Sequence, residues 1–165
     1  MRAGIGYDIH RVNPDRTLVL GGVTFEDCPG LEGHSDADVV FHAVADALLG
    51  AAGLGDIGKH FPDDSPRWED ADSADILSET VRMVQERRGL RPHNVDINVI
   101  AERPRLSGRK KAMAENIASL LSVPGHHVNV KARTAEGLGP VGQEKAIEAQ
   151  AVVLLDEDEG KPPSL

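Results

Sequence analysis

Apolar and polar residues alternate at the start of the chain. Ala3, Ile5, Tyr7 and Ile9 fall on one face, and Gly4, Gly6, Asp8 and His10 on the other. A period of two predicts a strand, so Asp8 and His10 point to the same side. Leu18 to Leu20 and Val23 to Phe25 predict a short second strand around Gly21-Gly22, where a turn or bulge fits. The Ala- and Leu-rich run reaching Gly53 predicts a helix, and Ser35-Asp36-Ala37-Asp38 ahead of it has the form of a capping box. Gly55 to Asp64 reads as a Gly/Asp/Pro loop. A second helix starts near Asp72 or Ser73, buries Ile76, Leu77, Val81 and Val84, and stops at Gly89. Val95, Ile97 and Val99 alternate as a strand. Ser107 caps a third helix with Met113, Ile117, Leu120 and Leu121 inside, ended before Pro124-Gly125. Strands follow at Val128 to Ala132 and along Ile147, Ala149, Ala151, Val153 and Leu155. The order β-β-α-α-β-α-β-β predicts an α+β fold, a mixed sheet with helices packed on one face. Residues 1–157 read as a single domain and 158–165, with Gly160 and Pro162-Pro163, as a frayed tail.

Composition narrows the function. A chain of 165 residues is about one domain. A formal charge of −9 argues against nucleic acid as a partner, since phosphate backbones demand basic stripes. Five aromatics are too few for base-stacking platforms. Cys28 is the lone cysteine, which excludes a disulfide framework or a Cys-based zinc knuckle within one chain. The first residues show no apolar signal-peptide core, and the longest apolar stretch, Val39 to Leu54, is broken by His42 and Asp46. The expectation is a cytoplasmic protein with no membrane partner.

The strongest candidate chemistry is Asp8-x-His10 together with His42. Two metal-capable side chains at i, i+2 on one strand face converge, and a third from a helix leaves one position open, the pattern of a catalytic zinc site. Asp38, His42 and Asp46 lie at i, i+4 and i+8, so a carboxylate neighbour is placed to orient the imidazole. The competing reading is a surface strand pair and a helix-face histidine, and spacing alone leaves both open. Gly33-His34-Ser35-Asp36 reads either as an anion site at a helix start or as a plain cap. Glu136 in Thr134-Ala135-Glu136-Gly137 follows a strand and suits Mg²⁺ completed by substrate phosphates, or is an exposed turn residue. Arg103-Pro104-Arg105 and Arg109-Lys110-Lys111 sit near a helix start, a poor place for cations unless they bind phosphate.

Taken together the segments say more. Gly-x-Gly-Tyr-Asp-x-His at 4–10, Gly-His-Ser-Asp-Ala-Asp at 33–38, His42, Asp-Ala-Leu-Leu-Gly at 46–50, Leu-Gly-Asp-Ile-Gly-Lys at 54–59, Phe-Pro-Asp at 61–63 and Asn-Val-Lys-Ala at 129–132 closely resemble the 2-C-methyl-D-erythritol 2,4-cyclodiphosphate synthase family, over residues 1 to about 156. The resemblance implies a homotrimer, each subunit carrying a four-stranded sheet, with active sites between subunits. It implies Zn²⁺ on Asp8, His10 and His42, and Mg²⁺ or Mn²⁺ on Glu136. His34 and Thr134 match positions that stabilise the transition state. Asp8, Ile9, His10, His34, Ser35, Asp56, Ile57, Gly58, Phe61, Pro62, Asp63, Asp64 and Ser65 match the segments that hold the substrate's methylerythritol phosphate. Ala101, Pro104, Arg105, Leu106, Ser107, Ala132, Arg133 and Thr134 match the pocket for its cytidine diphosphate part. The implied reaction is intramolecular phosphoryl transfer with release of CMP, in the non-mevalonate isoprenoid pathway. Pro140 and Gly142-Gln143-Glu144-Lys145 depart from the Gly-Arg-Gly-Glu-Gly stretch of many relatives. Two other classes share part of this pattern. A non-haem Fe(II) oxygenase uses two histidines and a carboxylate, but in the order His-x-Asp/Glu. A non-catalytic, metal-stabilised trimer would lose its fold with its metal.

Overall fold

The computed structural model describes residues 1–33, 35–62 and 71–157. Five strands form one sheet: β1 (Arg2–Leu20), β2 (Val23–Leu31), β3 (Leu90–Ile100), β4 (Val128–Arg133) and β5 (Ala146–Glu157), in the order β2-β1-β5-β3-β4. The helices are α1 (Val39–Ala52), α2 (Ile57–His60), α3 (Ser73–Arg88), α4 (Lys110–Leu121) and α5 (Gly139–Gly142). The α+β class and the mixed sheet stand, since β3 and β4 are parallel and the other pairs antiparallel. The four-stranded sheet is corrected to five strands. Its cause is the length of β1: β5 pairs only with Arg2 to Arg11, and β2 takes up the ladder from Val12 to Leu20. Backbone groups left unpaired there would be costly where buried, so the second half of β1 needs its own partner. Pro14 and Pro29 are tolerated because this outer hairpin is the sheet edge and its register shifts between Asn13 and Leu18.

The helix α1 is apolar almost all round, as a central helix must be. Among its residues only His42, Asp46 and Gly50 escape full burial, a single stripe at i, i+4, i+8. One side of the helix lies directly on β1. A Cβ built on Gly6 would sit 2.0 Å from the Ala43 carbonyl oxygen, and one on Gly4 2.1 Å from that of Ala47. Four helical residues rise about 6.0 Å, close to the roughly 6.6 Å that two strand residues span. The contacts therefore repeat in register, Gly6 on Ala43 and Gly4 on Ala47, as helix and strand run in opposite directions. The next step along this register brings Asp8 beside the first turn of α1, where His42 sits.

The helix starts differ from the sequence reading. Asp38, not Ser35, caps α1, accepting from the amides of Val40 and Phe41, because Ala37 is left-handed (φ 58) and breaks any earlier turn. Arg109 precedes α4 without a side-chain cap, so Ser107 does not serve there. The predicted start and stop of α3 hold, with Asp72 as cap and Gly89 left-handed at the end. Gly55 to Asp64 contains α2, capped by Asp56 through the Lys59 amide. Among the described residues no helix is long and apolar enough to cross a membrane. His34, Asp63, Asp64, Ser65 and the tail 158–165 lie outside the described residues.

The close approach of α1 to β1 gives a first prediction. Gly6→Ala forces helix and strand apart and lowers the unfolding free energy by about 3 kcal/mol or more. Gly108→Ala, where nothing lies within 4 Å of the added carbon, stays within about 0.5 kcal/mol. Urea titration checks both. Equal stability of the two variants would refute the contact.

Candidate metal centre and the cavity beside it

Asp8 and His10 leave the inward face of β1, and His42 leaves the open stripe of α1. Asp8 Oδ2 lies 2.9 Å from His10 Nε2 and 3.1 Å from His42 Nδ1, and the two ring nitrogens are 3.3 Å apart. Ligands on a tetrahedral Zn²⁺ with bonds of about 2.0–2.1 Å stand roughly 3.3 Å from one another. The three donors therefore already hold the spacing of three corners of such a site. All three are half-buried. Burial raises the Asp8 carboxyl, but contact with His10 and His42 outweighs it and holds the group well below the ordinary carboxylate range. The centre presents a carboxylate anion facing two imidazoles, a set that shares either protons or a cation. Among the described residues this is the one cluster of three such side chains.

Each histidine is held from behind. His10 Nδ1 is 2.5 Å from the Glu32 carbonyl oxygen, so that nitrogen carries the proton and Nε2 offers its lone pair inward. His42 Nε2 is 2.9 Å from Ser73 Oγ and 3.3 Å from Ser35 Oγ. The expected carboxylates do not perform this task, which is a correction to the helical-spacing argument. Asp38 turns away to accept from the Gly21 and Gly22 amides at 2.9 and 2.7 Å, and Asp46 accepts from the Ile57 amide at 3.2 Å. The Arg16 guanidinium donates to the carbonyls of Gly33 and Ser35 and fixes the loop entering α1.

The triad opens into a cavity of about 260 Å³ whose wall includes Asp8, His10, Ser35, His42, Ile57, Gly58, Phe61 and Pro62. Of the other substrate candidates, Ile9 points to the opposite, exposed face of the sheet, and the Asp56 side chain caps α2. A second cavity of about 660 Å³ gathers Ala101, Pro104, Arg105, Leu106, Ser107, Ala132, Arg133 and Thr134, all eight residues expected at the nucleotide. Cys28, Glu102, Arg103 and Lys110 join them, and only the cationic runs hinted at the last two. Glu136 lines neither cavity. It sits in a left-handed turn (φ 53) and accepts from the Thr134 hydroxyl at 2.8 Å. Glu102 steadies that turn through the amides of Ala135 and Gly137, at 2.9 and 3.4 Å.

Fold and site together define a small α+β protein with a candidate divalent-metal centre of open, three-donor form, placed beside one end of its central helix. The model of the YgbB family matches residues 1–156, and the chain belongs to that family. It is 55% identical over 155 residues to the 2-C-methyl-D-erythritol 2,4-cyclodiphosphate synthase of Salinibacter ruber, covering 94% of this chain and 98% of that one. It resembles a solved 2-C-methyl-D-erythritol-2,4-cyclodiphosphate synthase in its CDP-bound form, with a TM-score of 0.86, 38% identity, and coverage of 94% of this chain and 100% of that one. It also matches the bifunctional IspDF of Campylobacter jejuni at a TM-score of 0.89 and 40% identity, over 93% of this chain and 42% of that longer protein. These relatives set aside the oxygenase alternative.

The Asp38 carboxyl yields a pH prediction. Burial pushes it up to about 6, against the pull of the Gly21, Gly22 and Phe41 amides. Between about pH 4 and 6 the folded chain then holds a proton that the unfolded chain has released. The group's contribution is full below about pH 4 and is lost as pH rises through about 6, to the extent of about 3 kcal/mol. Urea-unfolding free energies of wild type relative to Asp38→Asn fall across this window. A flat difference would mean that the amides keep the carboxyl ionised throughout.

Proposed function

We propose that the chain converts 4-diphosphocytidyl-2-C-methyl-D-erythritol 2-phosphate into 2-C-methyl-D-erythritol 2,4-cyclodiphosphate and CMP. One observation carries the reading: Asp8, His10 and His42 converge at 2.9–3.3 Å on the wall of a cavity, in a chain whose relatives bear this enzyme's name. Asp8, His10 and His42 hold Zn²⁺, and Glu136 holds Mg²⁺ or Mn²⁺. When bound, such ions polarise phosphoryl oxygens and neutralise their charge.

The chain's own part is positioning. The attacking group is the substrate's 2-phosphate, largely ionised at neutral pH because its second pKa is about 6. Its oxygen forms a bond to the β-phosphorus while the bond from that phosphorus to the CMP oxygen breaks, and CMP leaves with the electron pair. No side-chain nucleophile is required, so binding geometry and charge supply the rate. Ser35, Ile57, Gly58, Phe61 and Pro62, with Ile9, Asp56, Asp63, Asp64 and Ser65, hold the methylerythritol phosphate part. Ala101, Pro104, Arg105, Leu106, Ser107, Ala132 and Arg133 hold the cytidine nucleotide. His34 and Thr134 steady the charge that builds during transfer.

The active unit is a homotrimer with the site between neighbouring subunits. Two features support this. The metal-side and nucleotide-side cavities of one chain share no lining residue among the described residues. Ile5, Tyr7, Ile9 and Val152 stand exposed together on the outer face of β1 and β5, where Ile5 pairs with Val152. Such an apolar stripe marks an interface.

Phosphorus NMR tests the reaction. With Mg²⁺ and Zn²⁺, the substrate gives CMP and a cyclic diphosphate signal, whereas a linear diphosphate or no turnover overturns the proposal. His42→Ala stays folded by circular dichroism and loses more than about a hundredfold in kcat. Light scattering gives a mass three times the 17.6 kDa chain, and Ile5→Asp shifts it toward that of one chain. A wild-type monomer would remove the shared site.

A further inference from the structure

We propose that Ser73, backed by Asp36, is the positioning residue that sets His42 as a metal ligand, so that the first residue of α3 belongs to the metal centre. The inference rests on the metal-centre reading above. Ser73 is fully buried and its hydroxyl donates to Asp36 Oδ1. A hydroxyl has one proton. With that proton committed to a carboxylate, Ser73 Oγ can only accept from His42 Nε2, 2.9 Å away. The Nε2 nitrogen must then carry the ring proton, and Nδ1 is left with its lone pair facing Asp8 and His10. Without the chain Asp36–Ser73–His42 either tautomer is open to the ring, and one of them points an N–H at the metal.

The geometry around the chain is firm. The Asp36 amide donates to the Ala71 carbonyl at 3.3 Å, and the Asp38 amide donates to Asp36 Oδ1 at 3.1 Å. Ser35 Oγ stands 3.1 Å from Ser73 Oγ and 3.3 Å from His42 Nε2, but it already accepts from the Ala37 amide. Ser35 is therefore the longer and weaker second contact. A carboxylate–hydroxyl–imidazole chain acts like the carboxylate–histidine pairs that orient metal ligands elsewhere, and loss of such partners weakens metal binding about 10–100-fold.

The test measures Co²⁺ and Zn²⁺ dissociation constants of the full chain by chelator competition, with nitrogen NMR of the His42 ring before metal is added. Wild type shows the Nε2–H tautomer. Ser73→Ala shows mixed tautomers and about 10–100-fold weaker Co²⁺ binding. Asp36→Ala does the same, and Asp36→Asn, whose oxygen still accepts from Ser73, restores affinity to within about threefold of wild type. The Asp36 pair carries the test if Ser73→Ala does not fold. Ser78→Ala, an exposed serine on the same helix bonded to the Ala74 carbonyl, leaves both readouts unchanged. Wild-type affinity and a single tautomer in Ser73→Ala or Asp36→Ala would overturn the proposal alone. A wild-type chain that binds neither metal would overturn the metal-centre reading and the proposal together.

Discussion

The contact of two backbones, β1 on α1, is the constraint from which the site follows. Side chains normally act as spacers between a helix and the sheet it packs on; here the backbones meet directly at Gly4 and Gly6, and the first turn of α1 stands against Asp8, whose Oδ2 lies 3.1 Å from His42 Nδ1. Gly4 and Gly6 remove the spacers, and Ala43, Ala47 and Ala51 keep the helix side equally bare. The same stretch of β1 thus carries two functions in alternation with its pleat. Inward positions are glycine where the helix must come close and Asp8 or His10 where chemistry is needed. Outward positions are Ile5, Tyr7 and Ile9, which remain exposed.

The short segment between β2 and α1 solves a second problem, the placing of several polar groups in a dry interior. Asp36, Asp38 and Ser35 are close in sequence, yet Ser35 and Asp36 turn toward Ser73 while Asp38 turns to the Gly21 and Gly22 amides. The left-handed backbone at Ala37 separates Asp38 from the other two. Asp38 ties the β1–β2 turn to the start of α1, Asp36 reaches across to Ser73, and Ser35 faces the cavity. Among the described residues no buried side-chain nitrogen or oxygen is left without a partner. Buried polar networks stabilise only when complete, and this one is complete because Arg16 also takes up the carbonyls of Gly33 and Ser35.

Local patterns disclosed what local physics determines. The period of two placed Asp8 and His10 on one face, and the Ala- and Leu-rich run marked α1 as a helix. The bounds of α3 followed from Asp72 and Gly89. Features set by distant partners stayed hidden. The extension of β1 through Pro14 carried no strand pattern, since nothing nearby announces that β2 will pair with it. Ser73 read as a helix start alone, because its partners Asp36 and His42 lie 37 and 31 residues away. The capping reading of Ser35 failed on a single left-handed residue, Ala37, which an alanine does not advertise. In the second cavity the cationic runs disclosed Arg103, Arg105 and Lys110, but Ala101, Leu106 and Ala132 were legible only through the resemblance to the family, as they carry no chemistry of their own.

An acidic chain that takes a polyanion must reverse its own field at the site, and its two cavities do so by different means. The second cavity carries fixed charge: Arg103, Arg105, Lys110 and Arg133 against Glu102. A guanidinium keeps its charge under any working condition and offers a planar fork to phosphate. The metal-side cavity has no lysine or arginine among its described lining residues, and its one carboxylate is held anionic. There a diphosphate would meet Asp8 as a like charge unless a divalent cation sat between them. A lysine in this wall would compete for Asp8 and collapse the open corner, whereas a cation delivered from solution binds only where all three donors are in place. The register of the glycine contact between β1 and α1 sets where the three donors stand.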